Sequence, residues 1–171
     1  MIDKKVAALL NEQINKEFYS AYLYLDFSIY YDREGLAGFA NWFRIQAQEE
    51  RDHAIIFLNY MQSNGLDVTL EAIAKPDVKL EKHIDALKEA LAHEEYVTAS
   101  INNIYSAAAK VKDYRTMQFL DWFIKEQGEE EETAGNNVRK MELFGSDPKS
   151  LYMLDSELGS RTYVPPAILN D

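Results

Sequence analysis

The chain has 171 residues, enough for one domain with a sizeable core. Apolar residues make up 47% and charged residues 27%, which argues against disorder. The absence of cysteine excludes disulfide scaffolds, thiolate zinc sites, iron–sulfur clusters and cysteine nucleophiles. With 18 basic against 29 acidic side chains the net charge is −11, a poor match for nucleic acid or anionic lipid and a good one for cations.

The first residues, Met1 to Ala7, hold no apolar signal segment, and no window reaches the ~18 uncharged apolar residues of a membrane span. A cytoplasmic location is expected. Gly35 and Gly38 punctuate the first fifth of the chain, and helices are predicted over 3–33 and 38–64. Gly65 sits where a left-handed residue closes a helix. Further helices are predicted over 80–111 and 114–144, with Gly145 as a second closing residue. Asp147-Pro148 reads as an N-cap followed by proline at the first helical position of a short helix, 148–158. Loops of about four residues within the first and second pairs make antiparallel neighbours. The stretch 66–79 can extend to ~45 Å, the length of a ~30-residue helix. An all-α fold is expected: an up-down-down-up four-helix bundle with one long crossover and a short fifth carboxy-terminal helix, in a single domain over 1–171. The tail after 159 has no assigned role.

Steps of three and four residues trace one apolar stripe along each long helix, and a glutamate interrupts each stripe near its middle. The first stripe is Val6, Leu10, Gln13, Glu17, Ala21, Tyr24 and Phe27. The second is Phe39, Phe43, Gln46, Glu50, His53, Phe57 and Tyr60. Glu94 interrupts the third, which runs from Ile84 through Leu87, Leu91, Thr98 and Ile101 to Tyr105. Glu130 interrupts the fourth, which runs from Leu120 through Phe123, Gln127, Ala134 and Val138 to Met141. Mid-helix positions share one level of a bundle whatever the helix direction, so the four carboxylates should converge. A buried, unpaired carboxylate is costly, and no lysine or arginine lies on these stripes. Two divalent cations would balance four glutamates. Glu50-x-x-His53 places an oxygen and a nitrogen on one helical face, the spacing of bundle dimetal sites. Carboxylates with one histidine and no thiolate favour iron or manganese over structural zinc. Glu126, Glu129 and Glu130 cluster on the fourth helix, and Glu49 can lean towards them, so an accessory cation site is expected there. His83 and His93 fall off the stripes and are read as solvated.

Glu17 with Tyr24, Glu49-Glu50-Arg51-Asp52-His53, Glu94, and Glu126-Gln127-Gly128-Glu129-Glu130 together resemble the bacterial non-haem ferritins, over all four long helices and the fifth. The resemblance implies a ferritin-like bundle and a ferroxidase that oxidises Fe(II) to Fe(III) with O2 or H2O2. The product would be stored as ferric oxyhydroxide inside a hollow homo-24-mer. It implies that Glu17, Glu50 and His53 hold one iron, and that Glu50 bridges to a second held with Glu94 and Glu130. Gln127 would poise the centre, Tyr24 would assist oxygen reduction, and Glu49, Glu126 and Glu129 would form a third iron site. Trp122 resembles a neighbouring aromatic of the family, or serves core packing. The fifth helix would line four-fold axes, using the stripe Leu151, Leu154 and Leu158.

Departures narrow the family. The second ExxH of bacterioferritins is replaced by Gln127-x-x-Glu130, and Arg51 stands where their haem-ligating methionine would be, so no haem is expected. Without cysteine there is no rubredoxin domain. Ion passage through the shell is assigned only weakly, to Asp121. Two other functions fit less of the sequence: a dimetal oxidase acting on an organic substrate, and a non-catalytic helical interaction protein with an acidic face.

Overall fold

The structure, a computed structural model, describes residues 2–170; the ends of the expected domain, Met1 and Asp171, lie outside them. It contains α1 (Lys4–Arg33), α2 (Ala37–Ser63), α3 (His83–Lys110), α4 (Tyr114–Phe144) and α5 (Pro148–Gly159), followed by a 3₁₀ turn, Ala167–Asn170. The described residues form no strand. The long helices make the expected up-down-down-up bundle. No helix among the described residues is long and apolar enough to cross a membrane.

Local chemistry sets the helix ends. Asp3, Asp113 and Asp147 cap α1, α4 and α5 by accepting from the backbone of Lys5, Thr116 and Ser150. Gly65 takes the left-handed conformation (φ 69°) and Leu66 N–H donates back to Met61 at 3.0 Å, closing α2 as expected. Two details differ from the sequence reading. Gly145 stays right-handed at φ −72°. Helix α3 starts at His83 rather than 80, because the Asp85 carboxylate accepts from the backbone N–H groups of Glu81 and Lys82 and holds Lys82 extended before the first turn.

The crossover lies along α1. Asn11 exchanges hydrogen bonds with the Thr69 backbone at 3.0 and 2.9 Å, and Asn15 donates to the carbonyls of Glu71 and Ala72. Val78 and Leu80 then reach the aromatic cluster at the far end of α1. The chain thus travels the length of the bundle before α3 begins, which makes α2 and α3 parallel.

The core is two apolar clusters with a polar belt between them. One holds Val6, Leu10, Ile14, Phe57, Ile101, Leu120 and Phe123. The other holds Phe27, Tyr31, Phe39, Phe43 and Leu87, with Tyr31 stacked on Phe39 and Phe43 at 4.9 and 5.6 Å. Helix α3 is rotated slightly from its expected phase. Its buried line runs through Ala90, Glu94, Val97, Ile101 and Ile104, leaving Leu91, Thr98 and Tyr105 half-buried at the flanks. Small residues there let α3 approach its neighbours closely.

Helix α5 spends its stripe within its own chain: Leu154 and Leu158 are buried in the cluster that contains Phe39 and Trp42. Tyr152 and Met153 point away and are exposed. The approach of α5 to α2 depends on Gly38. A methyl group there would lie 1.7 Å from the Asp155 carbonyl oxygen, and one on Gly159 would lie 3.2 Å from Gly38 Cα. Asp155 also accepts from the Phe39 N–H at 2.9 Å. We expect Gly38→Ala to destabilise the protein by ~1–3 kcal/mol through overpacking, at ~2–4 °C of melting temperature per kcal/mol. Gly35→Ala, with nothing within 4 Å but φ 77°, should cost about 1 kcal/mol by backbone strain alone. Thermal melts of both variants check the ranking.

Candidate metal centre

The belt gathers one glutamate from each long helix: Glu17, Glu50, Glu94 and Glu130 are all at least nine-tenths buried. His53 joins them from the turn after Glu50. Glu17, Glu50 and His53 each offer one ligand atom, and these three lie within 4.8 Å of one another. Opposite ligands of an ion with ~2.1 Å bonds stand about 4.2 Å apart, so a small closure would bring the trio onto one cation. Glu17 Oε2 and both His53 nitrogens are buried with no hydrogen-bond partner among the described residues. His53 Nδ1 lies 3.4 Å from Glu50 Oε2, within ion-pair range but without hydrogen-bond alignment. Buried polar atoms are normally satisfied, so these orphans are what a bound ion would complete. The His53 ring is held edge-on by Trp122 and Phe123, at 5.6 and 5.7 Å.

The other two carboxylates are tied to the belt by neutral donors. Tyr24 donates its phenol proton to Glu94 Oε1, and Gln127 Nε2 donates to Glu94 Oε2 at 3.1 Å. Gln46 Nε2 donates to Glu130 Oε2 at 2.6 Å and reaches Glu50 Oε1 at 3.5 Å. Gln13 Nε2 donates to Glu17 Oε1 at 2.8 Å. Gln13 and Gln46 stood on the expected stripes, but their role was missed. The signal was their place four residues before Glu17 and Glu50, where helical side chains meet.

Burial raises the pKa of all four belt glutamates. For Glu50 and Glu130 the rise is largest: burial comes first, and neighbouring carboxylates, Glu94 foremost, add to it. Tyr24 is pushed well above the usual phenol range, first by burial and then by Glu94, so it remains a donor.

The expected accessory acids are less closely assembled. Glu49 is partly buried and paired with Arg161, its Oε2 2.5 Å from the guanidinium. Glu126 is half-buried. Glu129 points outward, 61% exposed, with Lys125 at 3.2 Å. The tail thus brings an arginine to the belt's edge, which nothing in the sequence pattern signalled. Arg51 is 57% exposed and pairs with Asp52 at 2.7 Å, and Asp121 is exposed, accepting from Tyr105.

His93 corrects the sequence reading. Rather than solvated, it is tucked against Tyr19, Tyr24 and Tyr96 with ring centroids 5.8–5.9 Å apart. Its Nε2 lies 2.7 Å from Ser20 Oγ, whose own proton goes to the Lys16 carbonyl, so the ring nitrogen is the donor. Burial lowers its pKa to about 4. The rotation of α3 that seats Glu94 in the belt also turns its neighbour inward. His83 stays a third exposed, beside Tyr30 and Glu34.

A family model described as a ferritin-like domain matches residues 7–144. The chain belongs to the ferritin family. It is 35% identical to a bacterial non-heme ferritin of Staphylococcus aureus over 95% of its own length and 98% of that protein's, and 36% identical to one of Staphylococcus epidermidis over the same shares. Among solved structures it is similar to an open-pore ferritin from the hyperthermophilic archaeon Archaeoglobus fulgidus. Identity there is 40% and the TM-score 0.93, over 95% of this chain and all of that one. A humanized archaeal ferritin matches with 41% identity and a TM-score of 0.94, over 96% of this chain and all of that one.

The raised carboxyl pKa values fix the sign of a pH effect. The folded, metal-free chain holds protons on these groups that the unfolded chain releases near ~4.3. Their contribution to stability is therefore full below that value and is lost as pH rises through the raised folded values. Metal-free Glu50→Gln should melt no lower than wild type at about pH 7, with the gap between them widening as pH rises above about 4.3. A lower melting point for the variant across that range would mean that Glu50 is paired within the protein.

Proposed function

We propose that this protein stores iron, and that its polar belt is a ferroxidase centre that converts Fe(II) to Fe(III) before storage. The observation that carries this reading is the set of four buried glutamates, one from each helix, meeting beside a histidine whose two nitrogens have no partner. Membership of the ferritin family supports it.

In this reading Fe(II) is the substrate. One ion is taken by Glu17, Glu50 and His53, and a second by Glu50, Glu94 and Glu130. The four carboxylates supply four negative charges for two divalent ions, and metal displaces the protons that burial favours on them, so loading releases protons. Two ferrous ions give one electron each. Those electrons reduce O2 to hydrogen peroxide, or H2O2 to water, with protons taken up by the products. Gln127 holds Glu94 in place, and Tyr24 remains a neutral donor on the other oxygen of the same carboxylate. Glu49, Glu126 and Glu129 form a third position outside the pair. The Fe(III) product, more highly charged and preferring oxygen ligands, passes on to mineral.

Storage needs an enclosed volume, and a 24-subunit shell supplies it. Tyr22, Leu25 and Ile29 form a stripe along the outer face of α1, each at least 40% exposed, with Leu70 and Ile73 exposed on the crossover beside it. Tyr152 and Met153 of α5 are exposed as well. These apolar surfaces are what subunit packing would cover.

Aerobic titration of metal-free protein with Fe(II) tests the proposal. Soluble oxidised iron well above about three ions per chain is the expected result, whereas saturation near about two would point instead to an oxidase acting on another substrate. Glu94→Ala and Glu130→Ala should each slow rapid ferrous oxidation by roughly 10–100-fold while the assembly elutes at unchanged size. Wild-type kinetics in both variants would remove the second iron position.

A further inference from the structure

The segment after α5 runs along α2 and reaches the belt. Asn41 holds the Arg161 carbonyl at 3.1 Å, and the guanidinium lies over the Trp42 ring at 4.8 Å. Arg161 Nη1 donates to Gln46 Oε1 at 2.7 Å and Nη2 to Glu49 Oε2 at 2.5 Å. Two residues on, Tyr163 donates to Asp52 of α2. Ile168 and Leu169 then pack against the apolar cluster on the far side of the belt.

We propose that Arg161 is a tethered counter-ion for Glu49 that competes with a third metal ion, so that a cation binds at Glu49 against the guanidinium and most tightly once it is displaced. The inference rests on the iron-handling reading above. A guanidinium stays charged at any working pH and can only donate. It holds Oε2 of Glu49 and sets a positive charge beside the other oxygen, so it weakens that carboxylate's hold on a metal ion. Glu126 and Glu129 have no such arginine: Glu129 is exposed with a lysine of its own helix, and Glu126 is half-buried. Glu49 is therefore where the tail competes. The same guanidinium fixes Gln46. Because Arg161 accepts nothing, Gln46 must present its carbonyl oxygen, and its amide hydrogens face Glu130 and Glu50. Displacing Arg161 frees that amide, which links occupancy of the third position to the pair beside it. Linkage works in both directions: filling the pair alters how firmly the tail is held.

Anaerobic calorimetric titration of the assembled, metal-free protein with Zn²⁺ tests this. The expected wild-type result is two tight ions per chain and a weaker third. In Arg161→Gln the third should tighten at least roughly tenfold, as loss of a charge-assisted competitor requires, while the first two still bind tightly. Arg161→Lys, which keeps the charge but not the planar fork, should fall between. Tyr163→Phe, with Arg161 intact and the strap loosened, should move the third ion in the same direction. In a Trp122→Phe background, Trp42 emission should change with the third equivalent when Arg161 is present and stay constant in Arg161→Gln. An unchanged or weakened third ion in Arg161→Gln, with the first two intact, would overturn this inference alone. Absence of tight binding in either chain would overturn it together with the iron-handling function.

Discussion

Four carboxylates share a dry layer in the middle of a helical bundle, and the rest of the molecule is arranged around that conflict. Ionised, they repel one another and lack water; protonated, they lose the charge that would attract a cation. Burial shifts the balance towards the proton at all four, most at Glu50 and Glu130, where neighbouring carboxylates add to it. The surrounding donors do not undo this. Gln13, Gln46, Gln127 and Tyr24 each steady a carboxylate without bringing full positive charge into the layer. An arginine in the same positions would have satisfied the glutamates and removed their need for an ion.

Charge enters only at one remove, and it does so twice by the same logic. On one side Lys16 donates to Ser100 Oγ at 2.8 Å, Ser100 donates to Gln13 Oε1 at 2.7 Å, and the Gln13 amide faces Glu17. On the other side Arg161 donates to Gln46, whose amide faces Glu130 and Glu50. A cation can only donate, so each relay has one sense, and the amide at its end can point only one way. Flipped, either glutamine would turn its oxygen towards a carboxylate; here that choice is closed. The pair of relays explains why two glutamines occupy core positions that leucine would fill more cheaply in solvation terms.

Most of the belt was legible because helical periodicity converts sequence spacing directly into direction. Four glutamates at mid-helix on apolar stripes, with His53 one turn from Glu50, could meet nowhere else, and the crossover length set which helices run parallel. What stayed hidden depended on information that spacing does not carry. The phase of α3 puts Ala86 and Ala90 in the core and leaves both Leu91 and His93 half-buried at the flanks, which the apolar spacing alone does not show. Gly145 carries no sign of its handedness, since glycine accepts either. Arg161 lies in an extended segment with no periodicity at all, and its arrival at Glu49 is decided by where α5 docks, which in turn depends on the absence of a side chain at Gly38.

The two apolar clusters give the belt its rigidity. Phe57 and Phe123 pack at 4.3 Å on one side, and Tyr31 is stacked between Phe39 and Phe43 on the other. Close-packed aromatic layers resist the collapse that an under-coordinated cavity would otherwise undergo. His53 shows the effect most directly: edge-on contact with Trp122 and Phe123 fixes its ring although neither nitrogen has a hydrogen bond to orient it. Packing rather than polar pairing therefore positions the one nitrogen donor of the site, and that leaves both nitrogens free. A histidine held by a hydrogen bond would have a single free nitrogen; this one is held by aromatic edges with both unpaired. The same separation of duties recurs across the centre, where apolar contacts supply position and the carboxylates keep their valence for metal.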